Sequence, residues 1–142
     1  MDTAAIKAHL RAHEGCVLHA YQDHLGYWTI GYGRMIDERR GGGISEAEAE
    51  QLLTNDISRV IADLEYAAPM LHTLPESVQH ALVNMAFQMG VTGLMGFRRM
   101  WAALEAGDWE LAAEEALNSR WAEQTPRRAH EIAGMIAGDD AA

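Results

Sequence analysis

CVLHAYQDHLGYWTIGYG, residues 16–33, is the stretch whose reading decides the fold. β-Branched and aromatic residues crowd into it, and the polar turn signal Asp23-His24-Leu25-Gly26 divides it. That is the pattern of two short strands joined by a tight turn. Gly31 and Gly33 of TIGYG mark a bend or a close backbone approach.

Upstream, residues 3–13 read as a short helix with Asp2 or Thr3 as N-cap. Ile6 and Leu10 share one face, and Gly15 stands where a left-handed turn follows, so Glu14 falls at the helix C-terminus. Downstream, DERRGGG (37–43) reads as a loop, and at Ser45 the period becomes helical with the capping box Ser45-Glu46-Ala47-Glu48. Ala49, Leu52, Leu53, Ile57, Val60, Ile61 and Leu64 recur at helical spacing, which predicts one long helix to about Tyr66. Helix then follows helix. Pro75 and Pro126 stand where a first turn tolerates proline, and Gly90 and Gly107 where helices end. There is no internal repeat and no low-complexity linker.

The expected fold class is therefore α+β, mainly α, in two lobes. A small β-hairpin lobe covers about 15–44, a long connecting helix about 45–66, and a larger helical lobe about 67–142 together with the N-terminal helix. All of 1–142 is expected to form a single domain with its function in the cleft between lobes.

Composition narrows the function. A chain of 142 residues, 49% hydrophobic, buries on the order of 70% of its unfolded surface and needs no staples. Cys16 is the one cysteine, which excludes an internal disulfide and a multi-cysteine metal site. With 21 acidic against 11 basic residues the net charge is −10, which argues against nucleic acid as a partner. The excess is uneven: residues 1–43 hold Asp2, Glu14, Asp23, Asp37 and Glu38 against Lys7, Arg11, Arg34, Arg39 and Arg40, and are formally neutral. No apolar run approaches the roughly 18 residues of a membrane span, so no stable membrane association is expected. The opening MDTAAIKAHLRAHEG carries charges throughout, unlike a signal peptide, so synthesis in the cytoplasm is expected.

Glu14, Asp23 and Thr29 form the leading constellation, Glu-x8-Asp-x5-Thr. A carboxyl at a helix C-terminus faces the negative end of the macrodipole, which favours its protonated form. Asp23, in a polar turn with Gln22 and His24, should stay ionised. Two carboxyls so differentiated are what acid and base catalysis at a glycosidic bond requires. On spacing alone, two solvated surface acids are the commoner case.

The surrounding words change that balance. HEG (13–15), AYQDHLGYWTIGYG (20–33), FQMG (87–90), GF (96–97) and SRWAEQTPRRA (119–129), in this order, closely resemble the phage-type lysozymes, the muramidase endolysins of glycoside hydrolase family 24. The resemblance covers residues 6 to 136 and implies a peptidoglycan hydrolase that cuts the β-1,4 bond between N-acetylmuramic acid and N-acetylglucosamine, without metal or cofactor. It implies Glu14 as proton donor, Asp23 as second catalytic carboxylate and Thr29 as the hydroxyl that helps hold the attacking water, with inversion at the anomeric carbon. Phe87 and Gln88 match the cleft-wall positions of the family's FQMG motif, Arg128 matches the arginine that reaches back to the catalytic Glu, and Met35, which follows the GYG turn, is expected to face the saccharide; all four are expected to bind substrate. Phe87 could equally be ordinary core, and Trp121 is expected in the core. Trp121 and Gln124 match residues behind the Arg128 helix.

A monomer is expected, acting on peptidoglycan glycan strands in the periplasm and, if it is a phage endolysin, released through holes made by a separate holin. Members often have a histidine where this chain has Arg34, and Asp56 matches its acidic partner, so an Arg34–Asp56 ion pair is expected.

Rival chemistries are weaker. His9 and His13 stand at i and i+4 but lack a third metal ligand, and Cys16 reads as a small buried apolar residue rather than a nucleophile. A muramidase-like binding or scaffolding domain would keep the cleft without using it, and the presence of Glu14, Asp23 and Thr29 speaks against that. A lytic transglycosylase would need one acid and no activated water, whereas Asp23 and Thr29 are both present.

Overall fold

The structure, a computed structural model, describes residues 2–31, 34–35 and 43–138, the side chains of His9 and Glu14 excepted. It consists of two compact units, Met1–Leu52 and Leu53–Ala142.

The first unit opens with helix α1, Thr3–Glu14. Asp2 caps it by accepting from the Ala5 N–H at 3.1 Å. At its other end the Gly15 N–H donates to the Arg11 carbonyl at 3.1 Å with φ at 67°, a region that favours glycine. Three antiparallel strands follow in the order β1 (Val17–Gln22), β2 (Trp28–Gly31) and β3 (Arg34–Met35). Tyr21 and Gln22 lie opposite Thr29 and Trp28, while Thr29 and Ile30 lie opposite Met35 and Arg34. The sequence pattern predicts only the first two strands, since a two-residue strand is too short to display an alternation. Gly33 and most of the 37–43 loop lie outside the described residues.

Helix α2, Glu46–Ala67, begins in the first unit and ends in the second. Its capping box is closed in both directions: the Ser45 hydroxyl accepts from the Glu48 N–H at 3.2 Å, and the Glu48 carboxylate accepts from the Ser45 N–H at 3.1 Å.

In the second unit a 3₁₀ turn, Pro69–Thr73, leads to α3 (Glu76–Met89), α4 (Val91–Met95), α5 (Arg98–Ala106), α6 (Trp109–Leu117), α7 (Arg120–Gln124) and α8 (Pro126–Ala137). Pro75 caps α3 and Pro126 opens α8; Gly90 and Gly107 close α3 and α5, as their positions in the sequence suggest. At the α5–α6 corner Gly107 is left-handed (φ 72°), which lets the Asp108 N–H reach the Ala103 carbonyl at 2.9 Å.

Helix α8 packs on α3 and α6, and α5 packs on α6. Their contact faces supply the core, with Leu64 of α2, Leu82 and Met85 of α3, Leu94 of α4, Met100 and Leu104 of α5, and Ile132 and Ile136 of α8 all sealed from solvent. Trp121 is also buried, as expected. Among the described residues every buried apolar side chain lies at or beyond Leu64, whereas the buried polar one, Thr29, lies in the first unit.

Candidate active site

The turn after β1 is built around the Asp23 carboxylate. Its Oδ1 accepts from the backbone N–H groups of Leu25 and Tyr27, each at 2.9 Å. The Asp23 N–H in turn donates to the Tyr27 carbonyl at 2.8 Å, and the Gly26 N–H to the Asp23 carbonyl at 3.0 Å. Gly26 has φ at 86°, so the turn needs a residue without a Cβ there. Hydrogen bonds to the charged form favour it, and the Tyr27 N–H is foremost in holding the Asp23 pKa below the ordinary carboxylate value. Both backbone bonds fall on Oδ1, so neither occupies Oδ2.

Thr29 is tied to the backbone of the same residue, Tyr27. Its hydroxyl donates to the Tyr27 carbonyl at 3.2 Å and is buried at 4% exposure. With its proton so used, the oxygen keeps its lone pairs for accepting. Thr29 sits on the central strand with Tyr21 and Met35 as its cross-strand neighbours. The first unit thus brings Asp23, Thr29 and Met35 together. Glu14 is the last residue of α1, and its side chain is outside the described set.

The second unit carries a groove of about 440 Å³, lined among others by Ile57 and Ile61 of α2, His80, Asn84 and Phe87 of α3, and Arg128 of α8. Phe87 is exposed here rather than packed in the core, at 42%. The Arg128 guanidinium donates from Nε to the Asn84 side-chain oxygen at 2.9 Å and from Nη2 to the Asn84 carbonyl at 3.3 Å. Gln88 turns to Trp121, whose indole N–H donates to its Oε1 at 2.9 Å. The Phe97 ring meets Trp121 edge-on at 6.2 Å.

A phage lysozyme family model matches residues 11–137, nearly the whole chain and both groups of candidate residues. The chain belongs to the phage lysozyme family. It is 30% identical over 160 residues to "Probable T4-type lysozyme 1" of Dictyostelium discoideum, covering 94% of each chain. It is 34% identical over 152 residues to "Pre-baseplate central spike protein Gp5" of Enterobacteria phage T4, covering 89% of this chain and 26% of that longer one. An "Endolysin" of Acyrthosiphon pisum secondary endosymbiont phage 1 is 30% identical over 106 residues, covering 75% of this chain and 70% of the other.

Within this phage lysozyme chain two expectations need correction. Arg34 pairs with Glu48 of its own unit, at 2.5 Å, and Asp56 pairs with Arg59 one helical turn away at 3.4 Å. Glu48 and Asp56 are eight residues apart on α2, a rise of about 12 Å, and Arg34 on β3 reaches the beginning of the helix. Cys16 is exposed rather than buried, because it lies in the link between α1 and β1. Sequence reasoning also missed Asn84, which holds Arg128. Its signal was an asparagine in a helix interior, where the residue is unfavourable unless its amide has a partner.

Proposed function

We propose that this chain is an inverting endo-N-acetylmuramidase whose single lysozyme-like domain cuts the β-1,4 bond between N-acetylmuramic acid and N-acetylglucosamine. Membership of the phage lysozyme family makes it a glycoside hydrolase of peptidoglycan, an endolysin-type lysozyme. In this reading Glu14 protonates the leaving oxygen. Asp23 accepts a proton from water at Oδ2, and the Thr29 oxygen accepts a second hydrogen bond from the same water and orients it. Met35, Phe87, Gln88 and Arg128 contact the glycan strand, Gln88 through the amide N–H groups that its bond to Trp121 leaves available. The enzyme works as a monomer with no metal or cofactor, is made in the host cytoplasm, and reaches the periplasmic wall through holes made by a separate holin.

The observation that carries this reading is the attachment of both Asp23 and Thr29 to the backbone of one residue, Tyr27, through its N–H and its carbonyl respectively. It fixes an ionised carboxylate and a hydroxyl with free lone pairs relative to each other before substrate arrives, as activation of a water requires. Replacing Glu14 by Gln removes the proton donor. The expected outcome is loss of lysis of permeabilised Gram-negative cells, with an unchanged far-ultraviolet spectrum and unfolding midpoint. Retained lysis would reject the assignment, and the anomer released first by the active enzyme, read by proton resonance, tests inversion.

A further inference from the structure

Among the described residues, strand β3 has two, Arg34 and Met35, and pairs with β2, so the ladder seen there is short. A side-chain clasp compensates. The Arg34 guanidinium folds along its own strand, donating from Nη1 to the Met35 carbonyl and from Nη2 to the Glu48 carboxylate at 2.5 Å. Glu48 is itself immobilised, since its other oxygen accepts from the Ser45 N–H at 3.1 Å and from the Ser45 hydroxyl at 3.0 Å. A carboxylate locked into a helix cap is a fixed post, and a planar two-pronged guanidinium is suited to bridging it to a carbonyl.

The path continues inward. Met35 lies across from Thr29, Thr29 bonds the Tyr27 carbonyl, and the Tyr27 N–H bonds Asp23. The clasp therefore adds to the short β2–β3 ladder at the strand that carries Met35, whereas β1 and β2 are paired and joined through the Asp23 turn. Arg34 and Glu48 are partly solvent-exposed, so their attraction adds little to global stability. Their geometry has a more specific use.

We propose that Arg34 and Glu48 are positioning residues that hold Met35 in the register in which it meets the glycan strand. This rests on the reading of Met35 as a saccharide contact, and it assigns the pair an effect on substrate affinity rather than on the chemical step.

The test is a cycle of Arg34→Gln, Glu48→Gln and the double variant, with hydrolysis of purified sacculi followed at varied substrate concentration. Glutamine at 48 can still accept from Ser45, so the helix cap survives while the ion pair is lost. Each single variant should raise KM about fivefold with kcat within about twofold, and the double variant should resemble either single one because the pair acts as a unit. Arg34→Lys, which keeps the charge and loses the fork, should fall between parent and Arg34→Gln. A merely structural role would lower the active fraction, and with it the apparent kcat, while leaving KM alone. That outcome, or a double variant in which the two increases multiply, overturns the proposal.

A second arm does not need turnover. Amide hydrogen exchange at Met35 in the unliganded parent should be about tenfold slower than in either single variant, and equal rates overturn the clasp. Should the parent fail to hydrolyse sacculi, the muramidase reading falls, and the exchange arm still decides whether the clasp holds β3.

Discussion

In the unit Leu53–Ala142, helices are held by apolar side chains that meet in a common core, from Leu64 to Ile136. In the unit Met1–Leu52, the described apolar side chains are half-buried or exposed, Leu18 at 87% and Leu25 at 56%, and order comes from hydrogen bonds to backbone groups within a few residues. The contrast separates two tasks. Apolar burial is non-directional and stabilises a fold in proportion to area, whereas hydrogen bonds fix direction. Catalysis at a glycosidic bond depends on direction, and the residues proposed to activate water lie in the unit organised by hydrogen bonds.

The largest effect that would test this separation is at Asp23. An asparagine there keeps Oδ1 and so both N–H bonds from Leu25 and Tyr27, but it cannot take a proton from water. Turnover should fall by a factor on the order of 100 or more while the thermal midpoint barely moves. A large drop in the midpoint would break the comparison, because it would mean that the charge itself holds the unit together. The pH dependence has a definite sign. The folded pKa of Asp23 is depressed below 3.8, so any stability it lends is present above that value and is lost as the pH falls through the folded pKa. Acidification to pH 5 should therefore leave Asp23 ionised, and loss of activity above pH 5 would have to come from another group.

The converse variant is Leu82→Ala in the helical unit. Leu82 is fully buried, and truncation should cost about 2–5 kcal/mol of unfolding free energy in urea titrations. Turnover per folded molecule, measured well below the lowered midpoint, should match the parent. A parallel fall in turnover would mean that the two tasks are not separable after all.

What was legible in the sequence follows the same division between local and distant causes. The α2 capping box, Gly107 at the end of α5 and the Asp23–Gly26 turn depend on residues within a few positions of one another, and each was readable. Glu14, Asp23 and Thr29 stood out because a spacing of carboxylates coincided with family words. Gln88 with Trp121 and Asn84 with Arg128 join residues 33 and 44 positions apart, and nothing local announces such a partner. The Arg34 error has the same origin. An arginine at the end of a sheet can reach any acid on the neighbouring helix, and which one it meets depends on where that helix starts relative to the strand, a distance that no periodicity encodes.

The smallest effect offers the closest control, because the same device occurs in both units. Asp2 caps α1 and Asp108 caps α6, each accepting a backbone N–H at 3.1 Å three residues on. The α6 helix buries Ala112 and Ala116 completely, so fraying its first turn disturbs the core. In α1, Ile6 and Leu10 are 42% and 50% exposed. Asp108→Ala should lower global stability by about 1 kcal/mol, seen as a shift of the urea midpoint. Asp2→Ala, which removes an equivalent bond, should leave that midpoint in place and accelerate amide exchange only in the first turn of α1. Equal midpoint shifts would show that α1 shares the cooperativity of the core, and the division drawn between the two units would then describe their bonding without describing their stability.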